Sequence, residues 1–330
     1  MHIVNTTHGR AFPAQPGQSL LDAAAASGLV LPYSCRTGRC STCQCRVVAG
    51  ETVALHPELG LTEAERAQGW ILSCVRAAGD GLMLEVEDLG GVELPAPRTL
   101  ACRVQTLDRL ADDVVRIVLR LPPTAAFAFV AGQYIDVIGP NGMRRSYSIA
   151  NAPVPGAPLE LHVRAVEGGA MSDYWFQRCG VNDLLRLNGP LGTFFLRDVR
   201  GLDLAMLCTG TGFAPVKSMI EALAGLDVSL APRSVTVYWG GRTPADLYHA
   251  MPAFEGLRFV PVLSRALAEW DGARGHVQDV FLAAGPDLQR SAVYACGSDA
   301  MIHGARKQLL AAGLPAARFQ SDAFVCSSDV

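Results

Sequence analysis

The chain has 330 residues, of which 50% are hydrophobic, and its formal net charge is -3. The chain is longer than a typical domain with one hydrophobic core, so we expect two or three domains of roughly 100 residues each. No block of like charges occurs, which argues against nucleic acid or a membrane surface as partner. The N-terminus lacks a signal-peptide layout, and no apolar run approaches the roughly 20 residues that span a bilayer, so we expect a cytoplasmic protein.

Four of the ten cysteines are predicted metal ligands, because a disulfide framework is not expected in a reducing compartment. They have C-x4-C-x2-C spacing plus a distant fourth member in WILSCV, and are Cys35, Cys40, Cys43 and Cys74. This is the ligand pattern of a plant-type 2Fe-2S cluster. Gly38 should let the loop bend so that amide groups face the sulfurs. Zinc is the alternative, although its sites usually have paired C-x2-C knuckles.

The segments around this loop predict a small domain at 1–92. We expect a strand near 2–5, a helix over 19–25 and a second helix near 62–68, where Thr62 and Glu65 form a capping box. Together with the cysteine loop, this region resembles plant-type ferredoxins over about 90 residues. The resemblance implies a β-grasp fold.

Other residues near the loop have two interpretations each. Cys45 is close enough to suggest a fifth ligand, but its strand position favours a small buried core residue. Three arginines surround the loop and form either a docking rim for an acidic partner or ordinary solvated charges: Arg36, Arg39 and Arg46.

The proline-containing stretch ELPAPRTLA predicts a domain boundary near 93–98, followed by a strand-rich domain at 98–200. Its segment RRSYSIAN contains the R-x-Y-S pattern of the ferredoxin-NADP reductase superfamily, formed by Arg145, Ser146, Tyr147 and Ser148. A flavin needs a cation for its pyrophosphate, an aromatic face and a hydrogen-bond partner near N5. Arg145, Tyr147 and Ser148 match these needs in turn.

Further residues of this domain are assigned by the same resemblance. Gly168 and Gly169 lead into a predicted helix with Ser172 in its first turn, where the FAD pyrophosphate is implied. His162 and Arg164 lie on the strand LHVR, where the family commonly contacts the ribityl or adenosine part of the flavin. For His162 a satisfied strand histidine is an equal alternative.

The segment GPLGTFFL at 189–196 resembles the turn that closes the family's flavin-binding β-barrel, and we interpret it as structural. From about residue 201 the pattern changes to strand, glycine turn and helix, which predicts a parallel α/β domain at 201–330. The predicted dinucleotide-binding residues of this turn are Gly210, Thr211, Gly212 and Pro215.

Two later segments support a nicotinamide dinucleotide domain. YWGGRTPADLY at 238–248 provides Gly240 and Arg242 for the adenosine ribose. YACGSDAMI at 294–302 places Cys296 and Gly297 near the nicotinamide, where relatives often have Cys-Gly-Pro, so Ser298 is a departure. A nucleophilic role for the cysteine is disfavoured, because no histidine and carboxylate are patterned beside it.

Few cations accompany Arg242, and the next arginine is Arg258, so NADH is preferred over NADPH. Phe324 lies where the family places an aromatic that covers the flavin ring and moves aside for nicotinamide. The six residues after it depart from relatives, and we expect a frayed tail. The predicted catalytic residues are Ser148, Cys296 and Phe324.

The whole chain is thereby identified as resembling the ferredoxin-fused branch of the ferredoxin-NADP reductase superfamily. The fold implied is α+β and multidomain: a β-grasp 2Fe-2S domain, an antiparallel β-barrel FAD domain and a parallel α/β NAD domain. The function implied is an NADH-dependent electron-transfer reductase that passes electrons through FAD and the 2Fe-2S cluster to a separate oxygenase component.

Two other functions are weighed against this one. CDP-6-deoxy-3,4-glucoseen reductases share the layout and serve a deoxysugar dehydratase. A non-catalytic module with zinc and a nucleotide sensor is a third reading, which the flavin motif argues against.

Overall fold

The computed structural model describes residues 1–90, 92–252 and 254–324. The chain divides into two compact units, Met1–Leu94 and Pro95–Val330, which we call the N-terminal and the C-terminal unit. Among the described residues, no helix is long and apolar enough to cross a bilayer. The tail predicted beyond Phe324 lies outside the described residues.

The N-terminal unit is built on a five-stranded sheet of order β2-β1-β7-β3-β5, beside which β4 pairs with β6. Strands β1 and β7 are parallel, and the other pairs are antiparallel. The strands are β1 His2–Thr6, β2 Ala11–Ala14, β3 Gln44–Ala49, β4 Thr52–Ala54, β5 Trp70–Leu72, β6 Arg76–Ala78 and β7 Met83–Glu85; the helices are α1 Leu20–Ala26 and α2 Glu63–Ala67.

Local sequence determines where both helices begin. The side chain of Ser19 accepts from the backbone N–H of Asp22 and so caps α1, whose buried leucine and alanine face packs into the core. The backbone N–H of Thr62 donates to Glu65 at 2.9 Å, and the N–H of Glu65 donates to the Thr62 hydroxyl at 3.2 Å. The predicted helices and the capping box are therefore confirmed.

The first half of the C-terminal unit is a six-stranded antiparallel sheet of order β11-β10-β13-β8-β9-β12. An isolated bridge between Ile149 and Leu161 joins its two edges, which closes the sheet into a barrel around an apolar core. The strands are β8 Arg98–Ala111, β9 Val114–Arg120, β10 Tyr134–Ile138, β11 Arg144–Ser148, β12 Leu159–Arg164 and β13 Leu184–Leu191; one helix, α3 Ala170–Asp173, continues as a π-helix over Tyr174–Arg178.

The second half is a parallel sheet of order β17-β16-β15-β14-β18-β19 with helices packed on it. The chain builds outward from β14 in one direction and then returns to its other side with β18. This reversal makes a topological switch point, where ligands bind in open α/β sheets. The strands are β14 Asp203–Thr209, β15 Ser234–Gly241, β16 Leu257–Leu263, β17 Ala273–Arg274, β18 Ser291–Ser298 and β19 Phe319–Phe324; the helices are α4 Phe213–Leu223, α5 Val277–Ala283 and α6 Asp299–Ala311.

The predicted fold class is confirmed, with a β-grasp unit, an antiparallel barrel and a parallel α/β sheet in that order. The predicted boundary near 93–98 falls around the division between the two units at Leu94 and Pro95. The barrel and the parallel sheet belong to one compact unit, so the separation of 98–200 from 201–330 stays a prediction.

Candidate functional site

The four predicted ligand cysteines lie together at one end of the N-terminal unit. The Sγ atoms of Cys43 and Cys74 are 3.2 Å apart, and the backbone N–H of Cys35 points to Sγ of Cys40 at 3.4 Å. Gly38 has φ +76°, and a Cβ there would lie 2.5 Å from the carbonyl oxygen of Pro57. The loop therefore needs glycine to fold around the sulfurs, as predicted.

The electrostatics of this loop divide the four thiols into two hydrogen-bonded pairs. The bonds to Cys35 and Cys74, together with burial, raise the pKa of Cys40 and Cys43 well above the ordinary value. A hydrogen bond from Cys40 has the largest effect on Cys35 and exceeds the opposing effect of burial; with smaller contributions from Thr37 it lowers the pKa of Cys35 to about 5. A hydrogen bond from Cys43 lowers the pKa of Cys74, and the backbone of Gly38 adds to the effect. Each pair thus contains one thiol that ionises readily, and four clustered cysteine sulfurs are the donor set that holds a 2Fe-2S cluster.

A buried ion pair between Glu58 and Arg76, which no local sequence pattern predicts, supports the segment that carries Cys74. The Glu58 carboxylate accepts from the backbone N–H of Leu72 at 2.7 Å and from Arg76 at 2.6 Å. Its side chain is only 4% exposed. Since both contacts flank Cys74, this carboxylate helps to fix the position of the fourth predicted ligand.

The other residues near the loop take ordinary roles. Cys45 is buried in the core on β3, as predicted, and burial raises the pKa of its thiol to about 12. Arg36 forms an ion pair with Asp22, and Arg46 lies 3.9 Å from Glu85. The docking-rim interpretation stays a prediction.

The flavin motif occupies β11, which pairs only with β10 along its length. Ser148 is buried, whereas Arg145 and Ser146 are exposed. The Tyr147 hydroxyl accepts from the indole N–H of Trp175 at 2.9 Å, and burial raises the pKa of this tyrosine to about 12. The motif therefore presents one exposed cation, one oriented phenol and one sheltered hydroxyl on a free strand edge.

Two further predicted flavin residues, on β12, make contacts within the protein. Both nitrogens of His162 are engaged, with Glu160 at 2.9 Å and the Tyr248 hydroxyl at 3.0 Å. Arg164 lies 3.2 Å from Asp246 of the dinucleotide half. For His162 these contacts agree with the alternative of a strand histidine whose hydrogen bonds are made within the protein. The flavin role of His162 and Arg164 stays a prediction.

The predicted pyrophosphate turn leads into a very short helix. Gly168 has φ +69°, and Gly169 precedes a helix of only one turn that continues as the π-helix. The Ser172 hydroxyl accepts from the backbone N–H of Val166 at 2.9 Å, which closes the turn. A role for this turn in binding phosphate stays a prediction.

The dinucleotide turn follows β14 at the switch point. Gly210 to Gly212 form a short 3-10 turn, and Pro215 lies in the first turn of α4 as predicted. A Cβ on Gly212 would lie 2.2 Å from the carbonyl oxygen of Cys296, and one on Gly210 would lie 3.0 Å from Nη1 of Arg164. Glycine is therefore required at 212, and a barrel arginine lies over the turn at 210. Thr211 lies between the two glycines.

The end of β18 lies against the same turn. Gly297 has φ +139°, and a Cβ there would lie 2.2 Å from Oγ1 of Thr209. That hydroxyl accepts from the backbone N–H of Ser298 at 3.2 Å. Phe324 pairs with Ser298 at the end of β19, so this aromatic lies at the same edge of the sheet.

Cys296 is completely buried, and burial raises the pKa of its thiol well above the ordinary value. A protonated, inaccessible thiol is not a nucleophile.

The two residues predicted to flank the adenosine ribose lie at the end of β15. Gly240 packs close to Val277, and a Cβ on this glycine would lie 2.9 Å from Cγ1 of Val277. The backbone N–H of Arg242 donates to Asp246 at 2.9 Å, while its side chain is exposed.

The barrel and the parallel sheet meet next to an aromatic pair, Trp239 and Phe213, that the sequence did not single out. Trp239 stacks on Phe213 with ring centroids 4.0 Å apart, and its indole N–H donates to the Gly210 carbonyl at 3.2 Å. The β12 side chains lie against this region through Arg164 and His162. Long-range packing of this kind leaves no local pattern in the sequence.

Comparisons with known proteins agree with this architecture. Three family models match in order: "2Fe-2S iron-sulfur cluster binding domain" at residues 3–79, "Oxidoreductase FAD-binding domain" at 101–196 and "Oxidoreductase NAD-binding domain" at 206–307. The chain is an oxidoreductase with 2Fe-2S, FAD and NAD domains, and it belongs to the ferredoxin-fused branch of the ferredoxin-NADP reductase superfamily.

Individual relatives narrow the comparison. A CDP-6-deoxy-L-threo-D-glycero-4-hexulose-3-dehydrase reductase of Yersinia pestis is 40% identical over 97% of this chain and 97% of its own. Reductase component 1 of a terephthalate 1,2-dioxygenase from Comamonas sp is 32% identical over 96% of this chain and 95% of its own. A solved structure of a ferredoxin reductase in carbazole 1,9a-dioxygenase has a TM-score of 0.69 at 24% identity, covers 98% of each chain and supports the fold.

Proposed function

We propose that this protein oxidises NADH and delivers the electrons singly, through FAD and a 2Fe-2S cluster, to a separate acceptor protein. The supporting observation is that the dinucleotide turn lies against barrel strand β12 within one compact unit, with Arg164 over Gly210. When bound, FAD accepts hydride as an electron pair, whereas the cluster takes one electron at a time.

In this proposal each half of the unit supplies different groups. The edge strand β11 holds the flavin, with the Arg145 cation at its phosphates and the Ser148 hydroxyl at N5. The turn at 210–212 and Gly297 hold the nicotinamide dinucleotide, whose close approach needs the glycine backbone. Phe324 covers the flavin until the dinucleotide arrives. Cys35, Cys40, Cys43 and Cys74 hold the cluster.

The dinucleotide is NADH in this proposal, because the surroundings of Arg242 disfavour a 2'-phosphate. Asp246 lies beside it and accepts from the backbone N–H groups of Arg242 and Thr243 at 2.9 Å. A carboxylate at this position repels a phosphate, whereas the hydroxyls of a ribose are tolerated.

The acceptor has two candidates. An oxygenase component follows from the resemblance and from the terephthalate relative at 32% identity. A deoxysugar dehydrase is favoured by the 40% identity to the Yersinia pestis reductase, so it is the acceptor to test first. Turnover with each purified acceptor distinguishes them. We also propose a cytoplasmic location, where the cysteine ligands stay reduced.

The test of the core proposal is an anaerobic visible spectrum before and after one equivalent of NADH, with iron and flavin quantified. We expect about one FAD and two irons per chain and bleaching of both chromophores. Bleaching of flavin in an iron-free protein would instead indicate a simple flavin reductase. A colourless protein would indicate the zinc and sensor alternative.

A further inference from the structure

The segment that follows the flavin strand β11 is bound directly to helix α4, which follows the dinucleotide turn. Three α4 side chains reach three consecutive residues of this segment. The bonds join Lys217 Nζ to the Ala150 carbonyl at 3.2 Å, Ser218 Oγ to the Asn151 carbonyl at 2.7 Å, and the Ala152 N–H to Glu221 Oε2 at 3.0 Å. We call these six residues the clamp.

The centre of the clamp is a buried ammonium group. The Lys217 side chain is 8% exposed, and its Nζ lies 3.1 Å from Glu160 and 2.7 Å from Glu221. With the Ala150 carbonyl it has three acceptors, which matches the three donors of an ammonium group. A buried charge is tolerated only when it is paired in this way, so the geometry here is tightly determined.

Glu160 connects the clamp, through His162, to Tyr248 in the segment after β15. Its carboxylate can only accept, so the Nε2–H of His162 donates to it at 2.9 Å. The other nitrogen, Nδ1, then accepts from the Tyr248 hydroxyl at 3.0 Å. Tyr248 packs edge-on against Trp239, with ring centroids 5.2 Å apart. The polar chain therefore connects α4, strand β12 and the segment after β15.

The same cluster contains possible metal ligands, since ligand atoms of Glu160, His162 and His249 lie within 4.8 Å of one another. However, the Glu160 oxygen nearest His162 already faces the Lys217 ammonium at 3.1 Å. That carboxylate oxygen is therefore already paired with a cation of the protein.

The clamp connects the two segments proposed to bind the reactants of hydride transfer, which are the flavin and the nicotinamide. Ala150 is two residues beyond Ser148, and Lys217 is five residues beyond Gly212. Between Gly212 and Lys217 the backbone is helical, and beyond Ser148 the backbone N–H groups of Ile149 and Ala150 are both hydrogen-bonded, at 3.0 and 2.7 Å, so both connections have little slack. Hydride transfer is steep in the distance between donor and acceptor, and a misplacement of about 1 Å can cost roughly a hundredfold in rate.

We propose that the clamp of Lys217, Ser218 and Glu221 on residues 150–152 is a positioning device, which sets the flavin strand and the dinucleotide turn at the spacing hydride transfer requires. This inference rests on the proposed function and on the flavin and dinucleotide sites assigned to β11 and the turn. None of the clamp side chains touches the reacting atoms. Their effect is therefore on the rate of transfer, with little effect on the binding of NADH or FAD.

The test compares variants of the full-length holoprotein by anaerobic stopped-flow measurement of flavin bleaching against NADH concentration. Ser218→Ala removes one neutral bond, and Lys217→Met removes the buried charge. We expect the saturating rate to fall about threefold in the first and at least about tenfold in the second. The dissociation constant for NADH and the FAD content should stay within about twofold of wild type, a separation that general unfolding would not produce.

The matched control is Lys307→Met, because the only other lysine of the chain is exposed on α6, and it should leave the rate unchanged. A second readout is the rate ratio between NADH and NADH deuterated at C4, which should rise in the clamp variants. If Lys217→Met does not retain FAD, Ser218→Ala and Glu221→Gln decide the matter.

Two results would overturn the positioning role: unchanged saturating rates in the FAD-loaded variants, or weaker NADH binding at an unchanged rate. Failure of the proposed function is a separate observation, because in that case the wild-type protein itself would not bleach with NADH.

Discussion

The two units hold their cofactor sites in different ways. In the N-terminal unit three of the four predicted ligands come from one nine-residue loop, and a glycine with φ +76° bends that loop around them. In the C-terminal unit the site is assembled from the ends of strands that are distant in sequence and are joined by buried polar side chains. A site built from one loop is encoded locally, whereas an assembled site depends on packing.

The largest effect should come from the loop-built site. Cys74→Ser removes the ligand outside the loop, and we expect iron content to fall to near zero while FAD content and flavin bleaching by NADH persist, because those belong to the other unit. Iron and flavin analysis of the purified variant checks this. Cys45→Ala is the control: it changes a buried cysteine of the same unit, and iron should be retained. Loss of FAD along with iron in Cys74→Ser would contradict the independence of the two sites.

A second variant probes the assembled site where its backbone is most crowded. In Gly212→Ala the added Cβ would lie 2.2 Å from the Cys296 carbonyl, so the turn must shift. We expect flavin bleaching by NADH to slow at least about tenfold with iron and FAD retained. The control is Gly304→Ala on α6, whose added Cβ would lie 3.6 Å from Nε2 of Gln278. This control should stabilise the folded protein by roughly 0.5–1 kcal/mol. Equal rates in both variants would show that the turn is not part of the dinucleotide site.

The smallest effect concerns acid stability. Burial alone would raise the pKa of Glu160, but the hydrogen bond from His162 and the charge of Lys217 outweigh it and lower that pKa from 4.5 to about 2. Because the folded value lies below the unfolded one, this stabilisation is complete above about pH 4.5 and is lost as pH falls towards about 2.

Glu160→Gln should therefore weaken the pH dependence of the unfolding temperature across that window. Tryptophan fluorescence follows it, since Trp175, Trp239 and Trp270 all lie in the C-terminal unit. The exposed Glu167→Gln serves as control. An unchanged slope in Glu160→Gln would show that the ion pair with Lys217 does not contribute to acid stability.

The sequence alone was sufficient where a feature is local. Cysteine spacing, the capping box of Thr62 and Glu65 and the glycine turn after β14 each depend on residues a few positions apart. Fold class followed, because alternating strands and a strand, turn and helix pattern have different periods. The short length of helix α3 and the π-helix after it were harder to predict. Trp175 in the π-helix bonds to Tyr147, which lies 28 residues away in the chain, and such a contact leaves no local pattern.

The buried polar cluster could not be predicted for a related reason. Lys217 and Lys307 each lie on a helix, yet the first is buried against two carboxylates and the second is exposed. What separates them is which helix face meets the barrel, and that depends on residues 67 positions apart in the chain. Glu58 presents the same difficulty within the N-terminal unit, because its partner Arg76 lies 18 residues away.

The contact between the dinucleotide turn and the end of β18 also bears on how this family can diversify. A Cβ at position 212 or 297 would lie 2.2 Å from a neighbouring oxygen atom, so these two positions resist substitution. The exposed side chains of Arg242 and Arg258, on the β15 and β16 side, carry no such constraint. Under the proposed assignment of Arg242 to the adenosine ribose, a change of preference between NADH and NADPH would proceed through exposed side chains there and would leave the two glycines in place.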